Sequence, residues 1–446
     1  MPKDRPPHRS RRLRSPIRRW GGWISAFQYE RCPIEQLERR AKHHDTFVLR
    51  SLVAGQMRVI ATPELAHRIL HAPGDRFLAG TANMHILPLL PQNTLLTLDG
   101  DAHRQRRHQL APLLGHKRLD ASAEQIRALV GVELERWPVG EEFAALPRLR
   151  SLTFRIAATV ILGVDEEAEF LTLERSLAAA LRPDAMLSGY RALQRLGAAS
   201  PQAAARRGRQ RFADCLAEVM AGRELPLSAD EVFTLLLAAQ DTTATAIAWA
   251  LLELAHNPTL VQEMLPWSSG KIEPRWVDAV VHETLRLHPP LVDIARRPTE
   301  PVTLAGEDVP AGALLMICPA LISRSDLHPH PNRFDPHRML GRRPDPHGWI
   351  PFGGGPRRCL GAPLAMLELR EVVKQAIERF ELTPTHAHVE RGRLYGTAVV
   401  PAQGCRLILT RRSIPQPAAH DHQPTEPPSQ PAGPRECDER TANPKH

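Results

Sequence analysis

The stretch Phe352-Gly353-Gly354-Gly355-Pro356-Arg357-Arg358-Cys359-Leu360-Gly361 restricts this chain more than any other. Glycine in a helix interior is entropically costly and proline there removes a donor, so the segment is a loop. Directly after it, from Ala362 to Phe380, apolar residues recur every three or four positions. Leu364, Leu367, Leu369, Val372, Val373, Ile377 and Phe380 carry this helical period, with charges between them. Cys359 is therefore predicted on a bare loop just before a helix N-terminus, where the dipole and free N–H groups favour a thiolate. A thiolate so placed can bind a soft metal, attack an electrophile or exchange disulfides. A lone cysteine elsewhere is usually a small buried hydrophobe.

A chain of 446 residues has room for about three domains, or for one large one. Hydrophobic residues at 42% and charged residues at 24% describe an ordinary soluble globular protein. The six cysteines (Cys32, Cys215, Cys318, Cys359, Cys405, Cys437) show no pairing and no C-x-x-C spacing. That excludes a disulfide framework and a zinc site, and fits a reducing, cytoplasmic setting. The net charge of +9 is concentrated at one end, because residues 1–20 hold eight Lys/Arg against Asp4 alone. Residues 411–446 balance five basic against five acidic side chains, leaving the body at about +2. No nucleic-acid face is expected. The basic leader lacks the apolar core of a secretory signal. The nearest approach to a membrane span, Val232 to Leu254, is interrupted by Gln240 and Asp241, so no transmembrane anchor is expected.

Along the chain, residues 1–25 read as a basic disordered arm, 26–410 as a single folded domain and 411–446 as a proline-rich disordered tail. Helices are predicted at 33–44, 62–71, 99–108, 120–136, 147–163, 166–182, 204–222, 228–256 and 275–287. Ser228-Ala229-Asp230-Glu231 fits a capping box. Residues 46–52 and 56–61 alternate as a hairpin, and 394–400 and 406–409 read as short strands. The stretch 72–99 reads as a long loop, and 288–352 as strand-poor and proline-studded. The fold class is mainly α with small β-sheets (α+β).

The long apolar helix carries Ala238-Ala239-Gln240-Asp241-Thr242-Thr243. Polar residues inside a buried helix are expensive unless satisfied. Thr242 alone could bond a carbonyl one turn back and merely bend the helix. Glu283-Thr284-Leu285-Arg286 places an acid and an arginine three apart, by itself a common surface pair of little worth.

The cysteine loop reads Phe-x-x-Gly-x-Arg-x-Cys-x-Gly and resembles the haem-ligand loop of the cytochrome P-450 monooxygenases. The resemblance runs over roughly residues 30 to 410, through the basic helix, the polar island, Glu-x-x-Arg, Pro331-Asn332-Arg333-Phe334 and the cysteine loop. It implies a long oxygen-binding helix over a cysteine-ligand loop, with haem b held by Cys359 as iron ligand. Phe352 then shields the sulfur, and Gly361 with its neighbours lets the backbone lie against the macrocycle. Arg357 meets a propionate, and His103, Arg107 and Arg296 correspond to further propionate-binding positions. Asp241 and Thr242 correspond to the acid and threonine that manage protons at the oxygen site, with Ala239 standing where the pattern favours glycine. Glu283, Arg286 and Arg333 correspond to a buried structural triad. The activity implied is insertion of one oxygen atom from O2 into a hydrophobic small molecule. Electrons come from a ferredoxin or flavodoxin with an NAD(P)H-dependent reductase, docking on Arg104, Arg106, Arg342, Arg343 and Arg358. The acid–threonine pair argues against a peroxide-driven peroxygenase of the same fold, and a non-enzymatic haem sensor or carrier is the other alternative. A monomer is expected. Met84, Ile86, Leu87, Ala238, Thr242, Leu291 to Ile294 and Ala398 to Val400 are expected to line the substrate pocket, with Asp293 adding one polar contact.

Overall fold

The computed structural model describes residue 29 and residues 33–51, 54–73, 75–87, 90–180, 197, 199–223, 227–265 and 270–412. The expected basic arm, and the expected tail from residue 413 onward, lie outside the described residues. The fold itself extends slightly past the expected boundary. Arg411 ends a strand, and the Arg412 guanidinium donates to the carbonyls of Ile377 (2.8 Å) and Phe380 (3.1 Å).

The largest core surrounds the central helix, Ala229–His256, 28 residues long. Ser228 starts it, its Oγ accepting from the Glu231 N–H at 3.2 Å. The capping box closes only halfway. The Glu231 carboxylate turns away to accept from the Leu95 N–H (3.0 Å) and from Arg106 (3.1 Å). Helices Ala145–Leu162 and Ala362–Arg379 pack on this central helix, and Pro274–Leu287 and Pro201–Met220 also reach it. It is long and apolar enough to cross a membrane, but 67% of its most apolar window is buried against protein.

The sheets are small. A five-stranded sheet runs Thr46–Ser51, Gly55–Ile60, Leu315–Ile317, Ile294–Pro298, Phe77–Leu78, with only Gly55–Ile60 and Leu315–Ile317 parallel. Glu142–Ala144, Arg406–Arg411 and Phe380–Pro384 form a second, antiparallel sheet. The predicted 394–400 strand is instead two strands, Gly392–Tyr395 and Ala398–Pro401, folded back on each other.

Two stretches differ from expectation for the same reason, partners distant in sequence. The 72–99 loop contains a helix, Gly80–Ile86, whose N-terminal N–H groups are capped by Asp99. The 288–352 region holds four short strands, of which Ile294–Pro298 and Leu315–Ile317 complete the five-stranded sheet.

Candidate active site

The central helix is buried from Glu231 to Leu236 and again from Thr243 to Ala255. Between them it opens, with Ala238 exposed and Leu237, Ala239, Gln240, Asp241 and Thr242 partly accessible. The Thr242 hydroxyl donates to the Ala238 carbonyl at 2.8 Å, the one-turn-back bond, which leaves its lone pairs free to accept. Helix Ala145–Leu162 braces the window twice. Thr153 Oγ1 donates to the Gln240 carbonyl at 2.8 Å, and Arg150 Nε lies 2.6 Å from Asp241 Oδ1. Arg150 also stacks over the Tyr395 ring, 4.5 Å from its centroid. Neither Arg150 nor Thr153 was singled out in the sequence; the only signal was three arginines, Arg148, Arg150 and Arg155, on a helix otherwise mostly buried.

The cysteine loop is held from below. Gly355 has φ +63°, and a Cβ there would sit 2.1 Å from the Leu70 carbonyl oxygen, so only glycine fits. The Cys359 N–H donates to the Phe352 carbonyl at 2.8 Å, and the Phe352 ring packs edge-on to Trp349. Beside Gly361 the space is open, with nothing within 4 Å of where a Cβ would stand. Among the described cysteines only Cys359 is exposed; Cys318 and Cys405 are buried and Cys215 is intermediate. Burial within the protein nevertheless dominates its thiol pKa, which is raised. The N–H groups of Gly361 and Ala362, with Arg358 and Arg107, pull the other way without prevailing. The helix start alone therefore does not make the metal-free sulfur a thiolate, contrary to expectation; a bound cation is what deprotonates a coordinating thiol.

Basic groups gather beside this sulfur. Arg357 donates to the carbonyls of Leu95 (3.3 Å) and Leu98 and to Asp99 Oδ1 (2.7 Å). Asp99 also accepts from the N–H groups of Ala79, Gly80 and Thr81. Burial pushes its carboxyl up, but those N–H groups and Arg357 outweigh it, so the pKa falls. His103 is buried, and burial, then Arg357 and Arg107, lower its pKa to about 4, so its imidazole is neutral at pH 7. Arg296 is buried too and is lowered to about 10 by burial and by Arg357. Its Nη1 donates to the Ala295 carbonyl at 2.8 Å, whereas Arg297 turns to the Gly312 carbonyl. Arg107 is half-buried, its pKa lowered by burial and by Arg358 while Cys359 raises it. Three of these basic side chains, His103, Arg296 and Arg357, thus share Asp99, and Arg107 faces Cys359. Together with the open face at Gly361 and the accessible sulfur, they fit a flat, iron-bearing group with more than one carboxylate.

A sequence profile of the Cytochrome P450 family matches residues 199–404. Cytochrome P450 135B1 of Mycobacterium tuberculosis is 31% identical over 405 residues, which cover 82% of this chain and 84% of that protein. This chain belongs to the cytochrome P450 family. Cytochrome P450 138 of the same organism is also 31% identical, over 83% of this chain and 90% of its own. Among solved structures, the P450 CYP175A1 from a Thermus thermophilus strain superposes with a TM-score of 0.74 at 25% identity, covering 88% of this chain and 98% of its own. A six-coordinated P450 from another Thermus thermophilus strain gives a TM-score of 0.70 at 24% identity, over 85% of this chain and 98% of its own. P450s are haem-thiolate proteins with a cysteine-ligated haem, and this chain is a P450 monooxygenase, an iron-dependent oxidoreductase.

Three expectations about this P450 need correction. Arg333 is exposed and gives the buried triad only its carbonyl, accepting from Arg286 at 3.1 Å. The second guanidinium on Glu283 is Arg338, at 3.0 Å, from the next Pro-x-Arg, Pro336-His337-Arg338. Arg106 is not free for docking, because it pairs with the buried Glu231, and Arg104 pairs with Asp101. Ala398, Val399 and Val400 are core residues at 4%, 5% and 1% exposure and offer almost no pocket surface, as does Val292 at 3%. Leu291, Asp293, Ile294, Ile86 and Leu87 keep partly open surface, and Met84 is exposed. Two surface depressions, of about 480 and 220 Å³, are lined by residues such as Gly131, Arg379, Pro258 and Leu382 and hold none of the site residues.

Proposed function

We propose that this P450 inserts one oxygen atom from O2 into a hydrophobic small organic substrate, by hydroxylation or epoxidation, using electrons from a separate redox partner. The observation that carries the reading is the opened window Leu237–Thr242 in an otherwise buried helix, together with Cys359, the one exposed cysteine among the described residues, on a loop inside the same fold. Cys359 is the iron ligand. Arg107, Arg296 and Arg357, with neutral His103, hold the propionates; Phe352 packs beside the sulfur; Gly361 leaves room for the ring. When bound, the haem supplies the dioxygen activation, and the protein positions substrate and moves protons. Asp241 is the proton carrier, and its contact with Arg150 holds it along the helix until it turns toward the substrate. Thr242, with its own proton committed to Ala238, presents an acceptor that orients a proton-bearing water or the reacting oxygen.

The substrate is apolar, because Ile86, Leu87, Leu291 and Ile294 supply the accessible surface around the site. The redox partner is a ferredoxin or flavodoxin with its NAD(P)H-dependent reductase, docking on the exposed Arg342, Arg343 and Arg358. We place the protein in the cytoplasm as a monomer. The test is Cys359→Ala in the full chain. The carbon monoxide difference spectrum of a haem thiolate should vanish; its persistence in the variant would remove Cys359 as the ligand.

A further inference from the structure

We infer that Asp293 makes this P450 selective for apolar substrates that carry a positively charged nitrogen. The inference rests on the monooxygenase reading above and names the substrate class of the same site.

The segment Pro290–Ile294 spans from the central helix to the cysteine loop. At one end the Val399 N–H donates to the Pro290 carbonyl (2.8 Å), the Val292 N–H donates to the Thr397 carbonyl (3.3 Å), and Leu291 bridges to Ala398. That hairpin is fastened in turn to the central helix, with Trp249 Nε1 donating to the Val399 carbonyl at 2.9 Å. At the other end, Ile294 Cδ1 lies 3.6 Å from where a Cβ on Gly353 would stand. The segment is therefore a wall of the space between the helix window and Cys359. Its side chains divide. Val292 and Ala295 enter the second core with Ala82 and Cys318; the Asp293 carboxyl lies near enough to Cys318 to raise its thiol pKa, yet keeps part of its surface open.

Among the described residues Asp293 has no hydrogen bond and no ion pair. The nearest arginine in the chain, Arg296, feels Asp99 and Arg357 instead. Burial alone raises the carboxyl to about 6, so at neutral pH it is a partly accessible carboxylate without a counter-ion on this wall. A buried charge lacking a partner is costly and gives the fold nothing back. The accessible neighbours Ile86, Leu87, Leu291 and Ile294 are apolar. An apolar cavity with one fixed, unpaired anion discriminates by charge more strongly than by shape.

The test compares two probes with the haem-loaded protein: a phenylbutyl-trimethylammonium ion and its neutral tert-butyl isostere. The quaternary nitrogen has no lone pair, so it cannot ligate iron, and binding is read by equilibrium dialysis or calorimetry rather than turnover. The wild type should bind the cation about tenfold or more tightly than the isostere. Asp293→Asn should erase that preference, and Asp293→Leu should reverse it. Both variants should retain the wild-type melting temperature or exceed it. Equal affinities in the wild type, a cation preference that survives Asp293→Asn, or a marked fall in melting temperature would each overturn the assignment. Failure of the wild type to take up haem would instead remove the monooxygenase reading beneath it.

Discussion

Two groups of buried arginines in this molecule are built in opposite ways. Around Glu283 every charge is answered. Arg286, wholly buried, donates twice to Glu283 (2.7 and 2.9 Å) and to the carbonyls of Ser323, Pro331 and Arg333. Glu283 also accepts from Arg338 and from the Asp335 N–H. Around Cys359 the balance is the reverse: Arg357 lowers both His103 and Arg296, Arg107 lowers His103 and Arg357, and Asp99 is the acid that His103, Arg296 and Arg357 share. A saturated cluster has no valence left for a ligand and locks segments together. An unsaturated one is a binding site waiting for anions.

The strongest way to break this contrast is Arg286→Ala. It strands a buried carboxylate and several carbonyls, so stability should fall by about 3–5 kcal/mol, read as a lower urea midpoint. Next comes acid sensitivity in the unsaturated cluster. The folded chain holds His103 neutral down to about pH 4, whereas the unfolded chain protonates it near 6.5. Stability in the haem-free chain is thus present above pH 6.5 and lost as the pH falls towards 4, by roughly 3 kcal/mol. His103→Gln should flatten that part of the stability–pH curve. Arg338→Ala should cost about 1–3 kcal/mol, because Glu283 loses a charged donor, whereas Arg333→Ala should stay within about 0.5 kcal/mol. Equal costs would return Arg333 to the triad. Last, Arg296→Gln should leave the urea midpoint of the haem-free chain unchanged and weaken haem affinity about tenfold, read by haem transfer to a competing acceptor. An unchanged affinity would show that this cluster is as closed as the other.

The same contrast explains what could be read in the sequence. The cysteine loop, the central helix and the hairpin 46–60 were legible because their determinants are contiguous: glycines at fixed spacing, one apolar period, one alternation. The helix Gly80–Ile86 was not, since its cap is Asp99, 19 positions on from Gly80. The strands Ile294–Pro298 and Leu315–Ile317 are five and three residues long and take their register from Gly55–Ile60 or from each other, so no local pattern announces them. Arg333 and Arg338 each follow a proline by two positions, and only the packing decides which guanidinium turns inward. Arg150 was hidden because its partner, Asp241, lies on another helix.

Asp99 joins two jobs in a single carboxylate. Its oxygens fasten the start of the Gly80–Ile86 helix, through three backbone N–H groups and the Thr81 hydroxyl, while Oδ1 also holds Arg357. The Gly80–Ile86 helix and the Arg357 guanidinium therefore share one anchor. A load placed on either is felt by the other, and losing that one side chain would slacken the helix start and the arginine of the cysteine loop in the same event.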